Sequence, residues 1–295
     1  MAAQPHVLSR SLVLGAGGPV GRAWQLGLLA QLVSRGWTFA QADLILGTSA
    51  GAVVGCRLAA RLELGSVLRP VEPSPSRSPE ALSPELARLL QASVQAARSS
   101  RPEPYYQDVG RMALGAETMS ESASIHRLGL PSGLSWPQNF RAIAVNAGTG
   151  VPVQWSRDSG VDLVRAVASS AALPSVAPAI TIDGQHYMDG GVRSMLNADL
   201  ATGHQVVTVL SCFDLSVDEA RSPSPFASLT PMLNAEVDKL RREGAHVEVI
   251  SPSEQYLELT AFGVRMLDYA LVPDAARLGA TQGASLQSDL ADYWT

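Results

Sequence analysis

The glycine-flanked serine at Ser49 constrains the fold of this chain more than any other feature. Residues 47–51 read Gly-Thr-Ser-Ala-Gly, after an apolar run long enough for a short buried strand and before a stretch that can form a helix. A serine with glycines two residues before and after it, between strand and helix, is typical of a nucleophile elbow. Larger side chains at Gly47 or Gly51 would collide with the neighbouring chain. The pattern predicts an α/β fold with the Ser49 hydroxyl exposed at a strand end.

A glycine-rich loop near the N-terminus follows a predicted strand. Gly15, Gly17, Gly18 and Gly21 lie in the sequence Gly-Ala-Gly-Gly-Pro-Val-Gly, directly before a helical pattern. Such a loop lets successive backbone N–H groups converge on an anion, either an oxyanion or a phosphate. A tight turn without a ligand is the plainer alternative. Dinucleotide binding is weakly supported, because the glycine spacing is too loose and Asp43 precedes the next strand instead of ending it.

A third motif, Asp189-Gly190-Gly191, follows a predicted hairpin. Strands at 180–182 and 185–188 flank an Asp-Gly turn. Asp189 then stands where a strand gives way to two glycines, with little bulk to hide its carboxylate. An isolated Asp-Gly pair would favour an ordinary turn. Its presence beside an elbow serine and an amide loop favours a catalytic carboxylate.

These motifs together resemble the patatin-like phospholipase family, over about residues 11 to 200. The family's G-x-S-x-G and D-G-[GA] motifs match at 47–51 and 189–191 without departure. Its amide loop, G-G-G-x-[KR]-G, matches with departures at Ala16 and Val20. Residues 168–178 resemble the family's stretch of small residues and prolines. Asn197 lies where the family often shows N-x-P, although Ala-Asp follows it here.

The resemblance implies a serine–aspartate dyad that acts on acyl esters, usually of lipids. A carboxylate can remove the proton that makes serine a poor nucleophile, provided that the two side chains touch. Ser49 would attack the carbonyl and Asp189 would act as base. The backbone amides of Gly17, Gly18 and Ala50 would hold the oxyanion.

Histidine offers the main alternative to a dyad. His204 and His246 follow Asp189 in the chain, but both stand at predicted strand entrances, where a triad histidine is not expected. His186 and Arg22 are candidates for lining the site. Arg22 lies two residues beyond the position at which the family carries a basic residue.

Composition limits the partners and the compartment. The chain has 295 residues, 46% of them hydrophobic, and a net charge of −5 with no basic run, which argues against a nucleic-acid partner. The two cysteines have no metal or redox spacing, so we expect neither a metal nor another cofactor. Neither a secretory signal nor a membrane span is apparent. We expect a soluble, cytoplasmic protein, whose contact with membranes would be peripheral, and the sequence leaves the oligomeric state open.

The order of elements predicts one domain over residues 1–295, a three-layer α/β/α fold with a mostly parallel central sheet. Candidate strands lie at 12–14, 44–46, 141–145, 151–155, 206–210 and 246–250, in addition to the hairpin. Candidate helices lie at 20–35, 50–64, 163–168, 229–243 and 274–293.

A proline- and serine-rich, partly helical insertion at about 69–125 interrupts the alternation of strands and helices. Ser83 and Pro84 are typical of a helix start, and an apolar stripe follows at Leu86, Leu89 and Leu90. The stripe can pack on the main domain, or it can cap the site and admit acyl chains.

Two functions follow from the sequence. The first is a serine-dependent hydrolase of phospholipid, lysophospholipid or neutral esters, in which an acceptor other than water could also take the acyl group. The second is a non-catalytic relative that binds an acyl chain or a partner in the same cleft, which the altered positions Ala16 and Val20 suggest.

Overall fold

A computed structural model describes residues 8–65, 82–216, 223–287 and 290–295 of the protein. Within these ranges the chain forms one eight-stranded sheet flanked by helices. The strands are β1 (Arg10–Leu14), β2 (Leu44–Thr48), β3 (Phe140–Asn146), β4 (Pro152–Trp155), β5 (Ile180–Ile182), β6 (Gln185–Asp189), β7 (Val206–Leu210) and β8 (His246–Ile250). The helices are α1 (Gly18–Ser34), α2 (Ala50–Ala59), α3 (Pro84–Ala97), α4 (Glu103–Gly115), α5 (Glu121–Arg127), α6 (Leu163–Ser170), α7 (Thr230–Arg242), α8 (Glu254–Leu259), α9 (Val272–Ser285) and α10 (Ala291–Trp294).

The sheet is parallel at its centre and antiparallel at one side. Its strand order is β5-β6-β3-β2-β1-β7-β8, and β4 pairs with β3. Strands β3, β2, β1, β7 and β8 run parallel, whereas β4, β5 and β6 belong to antiparallel pairs. Every residue of β2 and β7 is buried, as expected for parallel strands covered by helices on both faces. The prediction of an α/β/α fold with a mostly parallel sheet is confirmed.

The insertion between α2 and β3 contains three helices in its described part. Its first helix begins as predicted: Pro84 is the first helical residue and the Ser83 hydroxyl accepts the backbone N–H of Leu86. Helices α4 and α5 were not predicted. The proline- and serine-rich stretch falls largely on residues 66–81, outside the described ranges.

A small apolar cluster attaches the insertion to the sheet. The cluster joins α3 and α4 to side chains of β3 and β6. Its buried members include Leu89, Tyr106 and Val109 of the insertion and Val145 and Met188 of the sheet. The insertion is therefore held against β3 and β6, and β6 is the strand that ends at Asp189.

Two predicted helices end earlier than expected. The helix predicted at 50–64 ends at Ala59, because Arg61 adopts a left-handed conformation (φ 55°) and the Arg57 guanidinium donates to the backbone carbonyl of Glu63. The helix predicted at 274–293 is divided into α9 and α10. The division lets Trp294 become fully buried, where its indole N–H donates to Thr208 at 3.0 Å.

None of the helices within the described ranges has the length and apolar character needed to cross a bilayer.

Candidate active site

Ser49 lies in the turn between β2 and α2, in a conformation that non-glycine residues rarely adopt. Its φ is 56° and its ψ is −116°. Gly51 explains how the turn can be so close to the sheet, because a Cβ at this position would lie 2.0 Å from the carbonyl oxygen of Leu14. The elbow geometry predicted from the sequence is therefore present, and it leaves the half-buried Ser49 side chain facing a cavity.

Asp189 ends β6 and is almost completely buried, with 2% of its surface exposed. Its Oδ1 accepts the N–H of Gly191 at 2.7 Å. The other oxygen, Oδ2, has no hydrogen-bond partner within the described residues. The Ser49 side chain nevertheless lies close enough to lower the pKa of the carboxyl group. Catalytic hydrogen bonds are often long or poorly aligned until substrate binds.

Burial raises the pKa of Asp189 from 3.8 to about 7, because the apolar surroundings disfavour the charged form. The nearby Ser49 side chain and the hydrogen bond from the Gly191 N–H both oppose this rise of the pKa. A carboxylate with such a pKa can both accept and return a proton near neutral pH.

The glycine-rich loop places two backbone donors beside the serine. Ala16 donates to the carbonyl of Met195 at 2.7 Å and Val20 to that of Met266 at 3.2 Å, so both ends of the loop are fixed. Between them, the N–H groups of Gly17 and Gly18 have no acceptor in the described part of the chain. Both residues line the cavity.

A third donor comes from the start of α2. The N–H of Ser49 is occupied by the Ser170 hydroxyl at 3.1 Å. The N–H of Ala50 is the first of the helix and finds no acceptor among the described residues. Gly17, Gly18 and Ala50 thus present N–H groups without an acceptor in the described ranges. They lie near the first turns of two helices, where the dipoles favour negative charge.

Ser49 and Asp189 line one cavity of about 240 Å³ together with these three donors. The rest of the wall is mainly apolar. Its side chains come from α3, from the segment around α5 and from loops on the other side: Leu82, Leu86, Leu89, Leu90, Met119, Leu128, Leu173, Val176, Phe213, Phe226, Val264, Met266 and Leu267. Such a wall suits an alkyl chain, since removing it from water is favourable.

Asn197 joins the strand ends that carry Ser49 and Asp189. It is fully buried with φ 55°, and its Nδ2 lies 3.0 Å from Thr48 Oγ1 and 3.3 Å from the carbonyl oxygen of Gly190. Its Oδ1 accepts the Arg193 guanidinium at 2.6 Å. The sequence pointed to Asn197 through the family motif, but not to its role as a link.

The histidines considered from the sequence lie away from the cavity. His186 is exposed on β6 with Nδ1 3.3 Å from the Thr181 hydroxyl, and it is not among the lining residues. His204 contacts the Ala201 carbonyl at 3.0 Å, and the His246 ring stacks near Tyr293. Across the described ranges, no three His, Cys, Asp or Glu side chains are grouped as metal ligands would be.

The family's basic position is occupied by the fully buried side chain of Val20. Arg22 lies two residues further along α1 and lines the cavity, as expected from the sequence. The remaining motif glycines have packing roles: Gly15 and Gly21 lie against Leu196 and Cys212, Gly47 lies against Ala52, and Gly190 lies against Ile143.

The elbow serine, the buried carboxylate and the amide loop are arranged as in an α/β serine acyl hydrolase. The chain belongs to the patatin-like phospholipase family, whose model matches residues 12–202. Membership supports lipid acyl hydrolase activity in general. Among solved structures, VipD from Legionella pneumophila is similar, with 13% identity, a TM-score of 0.39 and coverage of 92% of this chain and 67% of that one. No curated protein matches the chain.

Proposed function

We propose that the protein hydrolyses lipid acyl esters with Ser49 as nucleophile and Asp189 as general base. The observation that carries the proposal is the meeting of a strained serine and a buried carboxylate on one apolar cavity, together with three backbone N–H groups that have no acceptor among the described residues. Each of these features costs stability, and such costs concentrate at functional sites.

In the first half of the reaction, Asp189 accepts the proton of the Ser49 hydroxyl while the oxygen attacks the ester carbonyl. The negative charge that develops on the carbonyl oxygen is held by the N–H groups of Gly17, Gly18 and Ala50. Because no described residue accepts a hydrogen bond from these groups before substrate binds, the site reorganises little as the charge forms. Collapse of the tetrahedral intermediate expels the alcohol, which takes the proton from Asp189, and leaves an acyl group on Ser49.

In the second half, Asp189 removes a proton from water, which attacks the acyl-enzyme. The same three N–H groups hold the second oxyanion. Collapse of this intermediate returns the proton to Ser49 Oγ and releases the carboxylic acid. The single carboxylate serves as base and acid in turn, which its pKa of about 7 permits.

The insertion supplies part of the acyl-chain site in this proposal. Leu82, Leu86 and Leu90 reach the cavity from α3 and the residues before it, while Leu89 also joins the cluster that attaches α3 to the sheet. The apolar stripe therefore serves both packing and the cavity wall. Burying one further methylene against such a wall contributes about 0.8 kcal/mol.

A fluorophosphonate probe tests the proposal, because it phosphonylates an activated serine. Wild type should be labelled and should hydrolyse p-nitrophenyl esters, whereas Ser49→Ala should do neither while retaining its circular dichroism spectrum. The matched control is His204→Ala, which should still be labelled by the probe and still hydrolyse the esters. Loss of turnover in that variant as complete as in Ser49→Ala would contradict the dyad. Folded wild type that neither labels nor hydrolyses esters would instead indicate a non-catalytic acyl-binding relative.

A further inference from the structure

An arginine that the proposed chemistry does not use closes the segment after Asp189. Arg193 directly follows the turn at Gly190–Val192, and 23% of its side chain is exposed. Its Nη1 donates to Asn197 Oδ1 at 2.6 Å. Nη1 and Nη2 also donate to the two carboxylate oxygens of Asp199, at 3.0 Å and 2.7 Å. A bidentate pair of this kind fixes the position of a guanidinium more closely than one hydrogen bond does.

The hydrogen bonds of Asn197 require its amide to stand in one orientation. At one end, Nδ2 faces the carbonyl oxygens of Gly190 and Ser194 and the hydroxyl oxygen of Thr48. Thr48 Oγ1 donates its own proton to the Leu196 carbonyl at 3.3 Å, so it accepts from Asn197. At the other end lies a guanidinium, which can only donate. Turning the amide over would place oxygen against oxygen at one end and N–H against N–H at the other.

Arg193 is the sole donor to Asn197 Oδ1 among the described residues. Asn197 is completely buried, so bulk water cannot replace this donor. A buried acceptor that loses its partner is costly to leave unpaired. Without the guanidinium, the amide would therefore lose the contact that holds it in its bridge between the elbow and the segment after β6.

The charge of Arg193 is balanced within the same cluster. Burial lowers the pKa of Arg193, but the hydrogen bonds and charge of Asp199, together with Glu236 and Tyr106, raise the pKa above its usual value. The guanidinium therefore stays charged and keeps its donors at neutral pH. Removing Arg193 alone would leave the Asp199 carboxylate without its ion-pair partner.

We propose that Arg193 is a positioning residue for the proposed reaction, because it holds the Asn197 amide that links the elbow to the strand end carrying Asp189. This role presupposes the proposed function, in which Ser49 attacks and Asp189 acts as base. The hydroxyl and the carboxylate must come within hydrogen-bonding distance when substrate is bound, and a misplacement of about 1 Å can lower the rate about 10²-fold. Loss of the link should therefore slow the chemical step and leave acyl-chain binding largely unchanged.

The first test is the hydrolysis of a p-nitrophenyl ester by Arg193→Met, which loses the hydrogen bonds and keeps much of the aliphatic packing. Its kcat should fall about 10- to 100-fold, with KM changed less than about twofold. On an Asn197→Ala background the same substitution should lower kcat little further, since the residue through which it acts is already gone. Losses in kcat that multiply, or a change in KM alone, would overturn the proposal.

Two variants separate positioning from a loss of stability. Arg193→Met/Asp199→Leu removes the whole ion pair, so its urea midpoint should recover towards that of wild type while its kcat stays low. Arg10→Met removes a half-buried guanidinium that donates to the Tyr293 carbonyl, at the end of β1 away from the site, and should keep the wild-type kcat. If kcat recovers together with the midpoint, Arg193 serves stability alone and the proposal is wrong.

Hydrogen exchange at the Asn197 side chain tests the same link without turnover. Its Nδ2 protons can be identified in a nitrogen–proton correlation spectrum by their loss in Asn197→Ala. They should exchange slowly in wild type, because they are buried and hydrogen-bonded, and at least about tenfold faster in Arg193→Met. Equal exchange would overturn the proposal. If wild type hydrolyses no ester while the exchange result holds, the hydrolase is refuted and the hold of Arg193 on Asn197 stands.

Discussion

Replacing Asp189 with asparagine removes a buried charge and nearly preserves the side-chain shape. Because burial raises the pKa of Asp189 to about 7, the folded protein holds a proton here at pH values where the unfolded chain, near its ordinary 3.8, has lost it. The free energy of unfolding of wild type should therefore fall as pH rises through this window, by about 1.4 kcal/mol per pH unit. Over the whole window the buried charge costs about 4 kcal/mol. The asparagine variant lacks this dependence.

The assay is urea unfolding of wild type and Asp189→Asn at pH 5, 6, 7 and 8. The difference in unfolding free energy should shift by about 3 kcal/mol in favour of the variant between pH 5 and pH 8. Most of this shift should occur below pH 7. Glu236 is another acid whose pKa burial raises to about 7, but it titrates in both proteins and cancels in the difference. Any pH-independent effect of the asparagine amide on the unfolding free energy also drops out, because only the change with pH is compared.

A matched control is Asp183→Asn, in the exposed hairpin turn between β5 and β6. Asparagine also tolerates the left-handed conformation of this position, and water solvates the side chain in both states. Its pH profile should run parallel to wild type. If the Asp189→Asn difference were equally flat, the carboxylate would not be held in a costly environment and its assignment as a poised base would fail.

Four further outcomes follow from the site. The kcat/KM of wild type should decrease about tenfold per pH unit below pH 7, since only ionised Asp189 accepts a proton, and a profile flat down to pH 5 would contradict this. Gly17→Ala places a Cβ 2.6 Å from the Cys212 sulfur, so the loop must shift, and kcat for a p-nitrophenyl ester should drop about 10²-fold or more; an unaffected kcat would remove Gly17 from the oxyanion site. Asn197→Ala should lower kcat about 10²-fold with little change in KM, because the strand ends lose their link, and a change in KM alone would argue against positioning. Leu86→Trp fills part of the cavity and should move the ester preference toward shorter chains, a shift that an unchanged chain-length profile would exclude.

The sequence predicted those parts of the fold that depend on local backbone rules. Glycine spacing located the elbow at Ser49 because only hydrogen fits at Gly51. The Asp183-Gly184 pair located the hairpin because both residues adopt positive φ there, at 49° and 71°. The cap at Ser83 is equally local, a hydroxyl three residues before the N–H that it accepts.

Several features that depend on tertiary contacts were not predicted. Helix α4 has its apolar residues spaced for packing on β3 and β6, and one sequence does not reveal that partner. Arg127 lines the cavity from the end of α5, and no motif marks it. The free N–H groups of the amide loop were expected from the family resemblance. Which amides are occupied depends on remote acceptors such as Met195 and Met266.

The separate attachment of the insertion has a consequence for how substrate preference can change. In the proposed mechanism the chemistry depends on groups at the ends of β2 and β6. Much of the apolar cavity wall comes instead from one contiguous stretch between α2 and β3. That stretch packs on β3 and β6 through a small apolar cluster separate from the main core. Exchanging it for the equivalent stretch of a relative should therefore change which lipids are preferred as substrates without changing the reaction. Natural variants can change substrate preference in the same way.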